Sequence, residues 1–116
     1  MDFEFPRGDT KLFKFQLKDK NGEVVTLTES DELYFTVKRD PYSSTALFQK
    51  RIGDGMVLGD DEYYHVTISP SDTNSLDYGS YGYDIEIKTG EGVVKTLTIG
   101  TITLTEEYTF AGNEVL

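Results

Sequence analysis

The sequence predicts an all-β fold, and three observations support this prediction. Apolar and polar residues alternate with a period of two in most segments, as half-buried strands require. Glycine-rich turns separate these segments, and no segment has the period of an amphipathic helix. The run from Asp77 to Tyr83 has the form Asp-x-Gly-x-Tyr-x-Tyr, which is typical of a tyrosine corner. We therefore expect an immunoglobulin-like β-sandwich of about seven to nine antiparallel strands.

The predicted strands follow one another with turns between them. The pair Asn21-Gly22 is the signal of a tight reversal between the first two strands. The segments 47–52 and 56–58 are short, and we expect them at sheet edges. Residues 69–76 contain turn and N-cap residues without an apolar period, so we expect at most one helical turn there. The predicted strands cover residues 11–18, 23–27, 33–39, 47–52, 56–58, 63–68, 81–87 and 93–104.

The last predicted strand changes the parity of its apolar residues. Leu97 and Ile99 are at odd positions, whereas Ile102 and Leu104 are at even positions. Because successive side chains of a strand point to opposite faces, one extra residue would be needed to place all four on a buried face. We predict a one-residue β-bulge at Gly100. The residues with a predicted structural role are thus Asp77, Gly79 and Tyr81 in the corner, and Gly100.

Composition limits the number of domains and the class of function. A chain of 116 residues without cysteine suits one domain that folds without disulfides, thiol nucleophiles or thiolate-bound zinc. We assign residues 1–105 to the sandwich and 106–116, where the alternation is lost, to a tail or docking segment. The formal net charge of −10 disfavours nucleic acid as a partner. We also expect no membrane helix and no signal peptide, and hence a soluble protein made in the cytoplasm.

The sequence contains little that suggests catalysis. His65, the single histidine, falls on the outward face of a strand without a specified nucleophile or base partner. The tripeptide Arg7-Gly8-Asp9 is the one that integrins read, but a bend before the first strand explains it better. Two loop clusters offer oxygen ligands for calcium, although turn formation explains both. They comprise Asp19, Asn21 and Glu23, and Asp54, Asp60, Asp61 and Glu62. We predict no catalytic residue, no metal site and no cofactor.

Aromatic residues outside the inward parity are candidates for a binding surface. Tyr34 and Tyr63 fall on outward strand faces, and Tyr108 and Phe110 lie in the tail. We predict these four as binding residues. Such a patch would suit a protein or the faces of sugar rings, but the absence of tryptophan disfavours sugars.

Five segments occur in a characteristic order along the chain, at residues 5–10, 32–38, 47–50, 64–68 and 76–85. In this order they resemble small prophage-encoded proteins of Gram-positive bacteria, which are similar to the N-terminal immunoglobulin-like domain of siphophage baseplate upper proteins. The resemblance covers about residues 3–105, and its motifs are structural. It implies a non-enzymatic tail or baseplate module of the virion, made in the host cytoplasm, that contacts other virion proteins or further copies of itself. A carbohydrate-binding or host-adhesion module is the alternative.

Overall fold

The computed structural model describes residues 2–107, which form eight β-strands and one short helix. The strands are β1 (Phe3–Pro6), β2 (Lys11–Phe15), β3 (Glu32–Lys38), β4 (Phe48–Ile52), β5 (Gly55–Leu58), β6 (Tyr64–Ile68), β7 (Gly79–Lys88) and β8 (Val94–Thr105). The helix is α1 (Pro70–Thr73), in the segment where at most one helical turn was expected. Hydrogen-bonded neighbours follow the order β1-β8-β7-β3-β4-β5-β6-β2.

The eight strands form one hydrogen-bonded sheet that folds over into two facing layers. We call the layer of β1, β8, β7, β3 and β4 the first sheet, and the layer of β5, β6 and β2 the second sheet. The link between β4 and β5 is short, since only Arg51 and Ile52 pair across it. The rings of Phe13 on β2 and Phe35 on β3 lie 5.1 Å apart although these strands are not hydrogen-bonded neighbours. The two sheets therefore pack face to face, and the predicted all-β, immunoglobulin-like sandwich is confirmed.

The core comes from the alternation seen in the sequence. Every second residue of β3 and of β6 is buried, and the residues between them point outward. Aromatic rings fill much of the space between the sheets, and the Phe3 and Phe13 rings lie 4.6 Å apart. The buried apolar residues are Phe5, Leu33, Phe35, Val37, Met56, Tyr64, Val66, Ile68, Tyr81, Tyr83, Ile85, Ile102 and Leu104.

Two strand pairs are parallel, so the expectation of antiparallel strands alone is wrong. β1 runs parallel to β8, with Phe3 opposite Ile102, and β4 runs parallel to β5. Parallel neighbours cannot be joined by a tight hairpin. β1 lies beside β8, the last strand, instead of beside β2. Between β4 and β5 the chain passes from the first sheet to the second. The alternation of apolar and polar residues within a strand does not indicate whether the neighbouring strand runs parallel or antiparallel to it.

The predicted strand over residues 23–27 does not form. A tight turn is present where it was predicted, because the Gly22 N–H donates to the Asp19 carbonyl oxygen at 3.0 Å. Beyond this turn, however, a single bridge joins Lys18 to Val24, and the following residues belong to no strand. Val24 and Val25 remain exposed, and of the apolar residues in this segment Leu27 alone packs against the core.

The tyrosine corner has the hydrogen bond that the sequence predicts. The Tyr81 hydroxyl donates to the Asp77 carbonyl oxygen at 2.7 Å, and the Tyr81 side chain is buried. Gly79 has a φ of +129°, a conformation that residues with a Cβ rarely adopt. The corner thus fixes the point at which the chain enters β7 after α1.

The bulge in β8 lies at Leu97. The pairing between β7 and β8 shifts by one residue between Ile85 and Glu86, which leaves Leu97 as the extra residue. Gly100 pairs regularly with Tyr83. The predicted bulge at Gly100 is therefore wrong.

The reason for this error is the position of Ile99. The prediction required Ile99 to share the buried face with Ile102 and Leu104, whereas its side chain is 75% exposed. The even-numbered residues from Thr98 to Leu104 face the core, so β8 needs no parity change at Gly100. An apolar side chain is thereby left on the outer surface.

Candidate functional site

The longest stretch of unpaired strand edge among the described residues lies on β8. The terminal strands β1 and β2 also have open edges, but they are only four and five residues long. β1 pairs with β8 only over residues 102–105, while β7 pairs with it along nearly its whole length. Within residues 2–107, the segment 94–101 therefore pairs with a strand on one side and with no strand on the other. An unpaired strand edge presents backbone N–H and C=O groups to any chain that can add a further strand. We call residues 94–101 the free edge.

The direction of the backbone groups can be assigned from two hydrogen bonds. The Thr101 N–H donates to the Asp2 carboxylate at 3.0 Å, and the Arg7 N–H donates to the Thr105 carbonyl oxygen at 3.1 Å. Both partners lie on the β1 side of β8. Because backbone groups of alternate residues point to the same side of a strand, the N–H and C=O of Ile99 also point to the free edge.

The free edge is unusually apolar and poor in charge for this chain. Val94, Leu97 and Ile99 expose their side chains, as does Val93 in the preceding turn. Residues 93–105 contain one charged side chain, Lys95, whereas the whole chain has 21 acidic residues. This combination of an open backbone and exposed apolar side chains is typical of a protein-binding surface.

A shallow pocket of about 220 Å³ adjoins the free edge on the outer face of the first sheet. Gly82 pairs with Lys38 on one side and with Thr101 on the other, and its missing side chain leaves open space. Burial raises the pKa of Asp84, and the charge of Lys38 partly offsets this effect. The lining residues are Thr36, Lys38, Asp40, Pro41, Gly82, Tyr83, Asp84 and Ile99. Ile99 thus belongs both to the pocket and to the free edge.

The predicted binding residues do not meet in one place. Tyr34 lies on the outer face of the first sheet, where its hydroxyl donates to the Glu32 carboxylate. That hydrogen bond raises the pKa of Tyr34, with burial as a smaller cause. Tyr63 precedes β6 in the second sheet. Tyr108 and Phe110 lie outside the described residues, so the prediction for them stays a prediction.

A cluster of polar side chains surrounds the single histidine. His65 Nε2 lies 2.9 Å from Asp61 Oδ1, and Lys14 Nζ lies 3.2 Å from Asp61 Oδ2. The hydrogen bond from His65 and the one from the Tyr63 N–H hold the pKa of Asp61 well below its usual range. Sequence reasoning missed these contacts, although Lys14 is directly opposite His65 in the register of β2 and β6.

The cluster is an open surface network of ion pairs and hydrogen bonds. The side chains of Lys14, Asp61 and His65 are each two-fifths exposed or more. Lys14 Nζ also lies 4.5 Å from the centre of the Tyr63 ring, a distance at which a cation–π contact forms. Such exposed pairs contribute little to stability, so the cluster chiefly holds the turn before β6 in place.

The Arg-Gly-Asp tripeptide joins separate parts of the fold. Arg7 Nε donates to Glu107 Oε1 at 2.8 Å, and Arg7 Nη1 donates to the Leu76 carbonyl oxygen at 2.9 Å. The Gly8 N–H donates to the hydroxyl of Thr73, which is fully buried. Because Arg7 is only 18% exposed and bound within its own chain, these contacts support the bend interpretation of the tripeptide.

The loop carboxylates are engaged in turns. Asp19 Oδ1 accepts hydrogen bonds from the N–H groups of Asn21 and Glu23, as expected for a side chain that stabilises a reversal. Among residues 2–107, no group of three or more histidine, aspartate or glutamate side chains could hold a metal ion.

Comparison with known proteins gives structural likeness without a family match. No family model and no curated protein matches the chain. A solved structure, CopC from Methylosinus trichosporium OB3b, superposes with a TM-score of 0.45 at 12% sequence identity, over 94% of this chain and 88% of that one. A likeness of this extent does not bear on function. In the described part of the chain, none of the helices has the length and hydropathy needed to cross a membrane.

Proposed function

We propose that this chain is a non-enzymatic structural module of a phage or prophage particle, in the tail or baseplate, and that it binds other proteins through the free edge. The observation that supports the binding mode is the unpaired segment of β8 with its exposed Ile99. Addition of a strand would pair the open backbone groups and cover the apolar side chains at the same time. The assignment to a phage particle is supported by the resemblance of residues 3–105 to baseplate upper proteins.

The polar clusters support a binding role over a catalytic one. His65 is bound to Asp61 on an open sheet surface, away from the pocket that Asp84 lines on the other sheet. General acid–base catalysis would require the titratable groups to converge on one site where a substrate is held. The arrangement of the described residues instead places the longest unpaired strand edge and several exposed apolar side chains together.

The experiment that tests this proposal measures binding to particles. The purified chain is mixed with tailed particles that come from the bacterium encoding it but that lack this chain. The protein bound to the particles is measured after sedimentation. We compare the wild type with Ile99→Lys, which places a charge on the free edge, and with Leu12→Lys. Leu12 is a matched control, because it is 68% exposed on the second sheet. We expect the wild type and Leu12→Lys to bind, and Ile99→Lys not to bind.

Either of two results would overturn the proposal. Failure of the wild type to bind such particles would remove the assignment to a phage particle. Binding of Ile99→Lys as tight as that of the wild type would remove the free edge as the binding surface.

The carbohydrate-binding alternative is favoured by one observation. Tyr42 is 95% exposed and directly follows Pro41, which lines the pocket on the first sheet. An exposed aromatic ring beside a shallow pocket can stack on a sugar ring. A glycan array with and without calcium tests this function, since an assembly module gives no signal in either condition. A signal that Tyr42→Ala removes would favour carbohydrate binding.

A further inference from the structure

We infer that the partner of the free edge is a second copy of this chain, whose own free edge pairs with it in an antiparallel arrangement about a two-fold axis. This inference rests on the proposed function, since it names the partner of the same surface. The first sheets of the two copies then form one continuous sheet. A particle would take up the chain as this dimer.

The length of the free edge suits such symmetry. Segment 94–101 has its midpoint between Leu97 and Thr98, so an antiparallel pairing about that point aligns the segments of both copies. It places Val94 of each copy opposite Thr101 of the other, whose N–H stays bound to Asp2. The ladder between the copies therefore forms between these two ends. In a two-fold interface every contact occurs twice, so each apolar side chain of the edge is covered in both copies. Ile99, the most exposed of them, lies close to the axis.

Charge favours this surface for a contact between two copies. Each chain has a formal net charge of −10, so most contacts between copies would bring carboxylates together. Residues 93–105 contain no acidic side chain. In the symmetric pairing, Lys95 of one copy lies opposite Gly100 of the other, where no like charge faces it.

The edge also has features that limit unspecific pairing. Asp2 occupies the Thr101 N–H, and the bulge at Leu97 interrupts the regular ladder. Natural edge strands use inward charges and bulges in this way against uncontrolled strand addition. A partner must match the bulge, and an identical copy does so because it presents the same bulge at the centre of the pairing.

The test is sedimentation velocity of the full chain over a concentration series. Two variants weaken the edge in different ways. Ile99→Lys adds a charge, and Ile99→Pro removes an N–H that points to the free edge and is not needed for the pairing with β7. Leu12→Lys is the control on the other sheet. We expect a dimer for the wild type and for Leu12→Lys, and dimerisation at least about tenfold weaker for both Ile99 variants.

A cross-linking measurement adds a positive signal. Because the chain has no cysteine, Ile99→Cys and Leu12→Cys each give a single reactive thiol. A short bifunctional maleimide should link two copies of Ile99→Cys, whose thiols lie near the axis, and should leave Leu12→Cys unlinked.

The outcomes separate this inference from the proposed function. A wild type that stays monomeric at all concentrations, or a Leu12→Lys variant that loses the dimer as Ile99→Lys does, overturns the inference. If that monomer still binds particles in an Ile99-dependent manner, the proposed function stands and the partner is a different protein. If the dimer forms through Ile99 and no particle binds it, the inference stands and the proposed function fails.

Discussion

Removal of one hydroxyl group, by Tyr81→Phe, should lower the free energy of unfolding by about 1 kcal/mol. The hydroxyl makes a 2.7 Å hydrogen bond to the Asp77 carbonyl oxygen, and the Tyr81 side chain is 4% exposed. The ring itself remains, so no cavity forms. Because Asp77 is exposed, its carbonyl group can be hydrated in the variant, and the loss stays near the net value of a single hydrogen bond. For a domain of this length, that corresponds to about 4 °C in Tm.

The assay for Tyr81→Phe is urea unfolding followed by far-ultraviolet circular dichroism, since the chain has no tryptophan to report by fluorescence. We expect a lower midpoint at an unchanged m-value, because the variant exposes about the same surface area on unfolding as the wild type does. Tyr42→Phe is the control, since its ring is almost fully exposed. Equal midpoints for Tyr81→Phe and the wild type, or an equal loss in Tyr42→Phe, would refute the role given to the corner.

Three further predictions concern the core, the chain ends and acid stability. Phe35→Ala removes a fully buried ring in contact with other aromatic rings, and urea unfolding should show a loss of about 3–5 kcal/mol; a loss below about 1 kcal/mol would contradict tight packing there. Glu107→Ala should lower the urea midpoint because Arg7 loses its carboxylate partner, and an unchanged midpoint would argue against that pair. The hydrogen bond from His65 lowers the pKa of Asp61 below its ordinary 3.8, so the carboxylate binds protons less readily in the folded state. The resulting stabilisation is present above about pH 4 and is lost as the pH falls further. Because these side chains are exposed, the effect is small: Asp61→Asn should slightly flatten the decline of stability in acid, and a steeper decline would contradict this.

Local patterns in the sequence were enough to predict the fold class and the corner. The alternation in residues 33–39 correctly places Leu33, Phe35 and Val37 in the core, because a period of two follows directly from strand geometry. The spacing between Asp77 and Tyr81 correctly predicts their hydrogen bond for a similar reason. Both features depend on neighbours within a few residues.

Features that depend on distant neighbours were not predictable in this way. The strand β1 was missed, since Phe3–Pro6 is too short for a clear alternation and becomes a strand only by pairing with β8. The assignment of Ile99 to the core failed because one apolar residue cannot show which face its strand buries. The free edge was not predictable for the same reason, because it exists only where β8 extends beyond its pairing with β1.

The sequence did not predict which strand edge of the candidate site is open. The tyrosines chosen as binding residues, Tyr34 and Tyr63, lie on different sheets, since outward parity does not tell which sheet a strand joins. The charge pattern of residues 93–105, without acidic side chains, was readable in the sequence. Its meaning became apparent only once the open side of β8 was known.

The parallel pairing of β1 with β8 has a mechanical consequence. Asp2 lies beside Thr101, and Glu107 lies beside Arg7, so the two ends of the described chain leave this pair at opposite ends. A pulling force on these ends would load the hydrogen bonds between the strands together, in shear, instead of opening them one after another. Unfolding under force is governed by the rate of crossing the unfolding barrier, and simultaneous rupture raises that barrier. The sandwich is therefore built to transmit tension along its chain without losing its first strand.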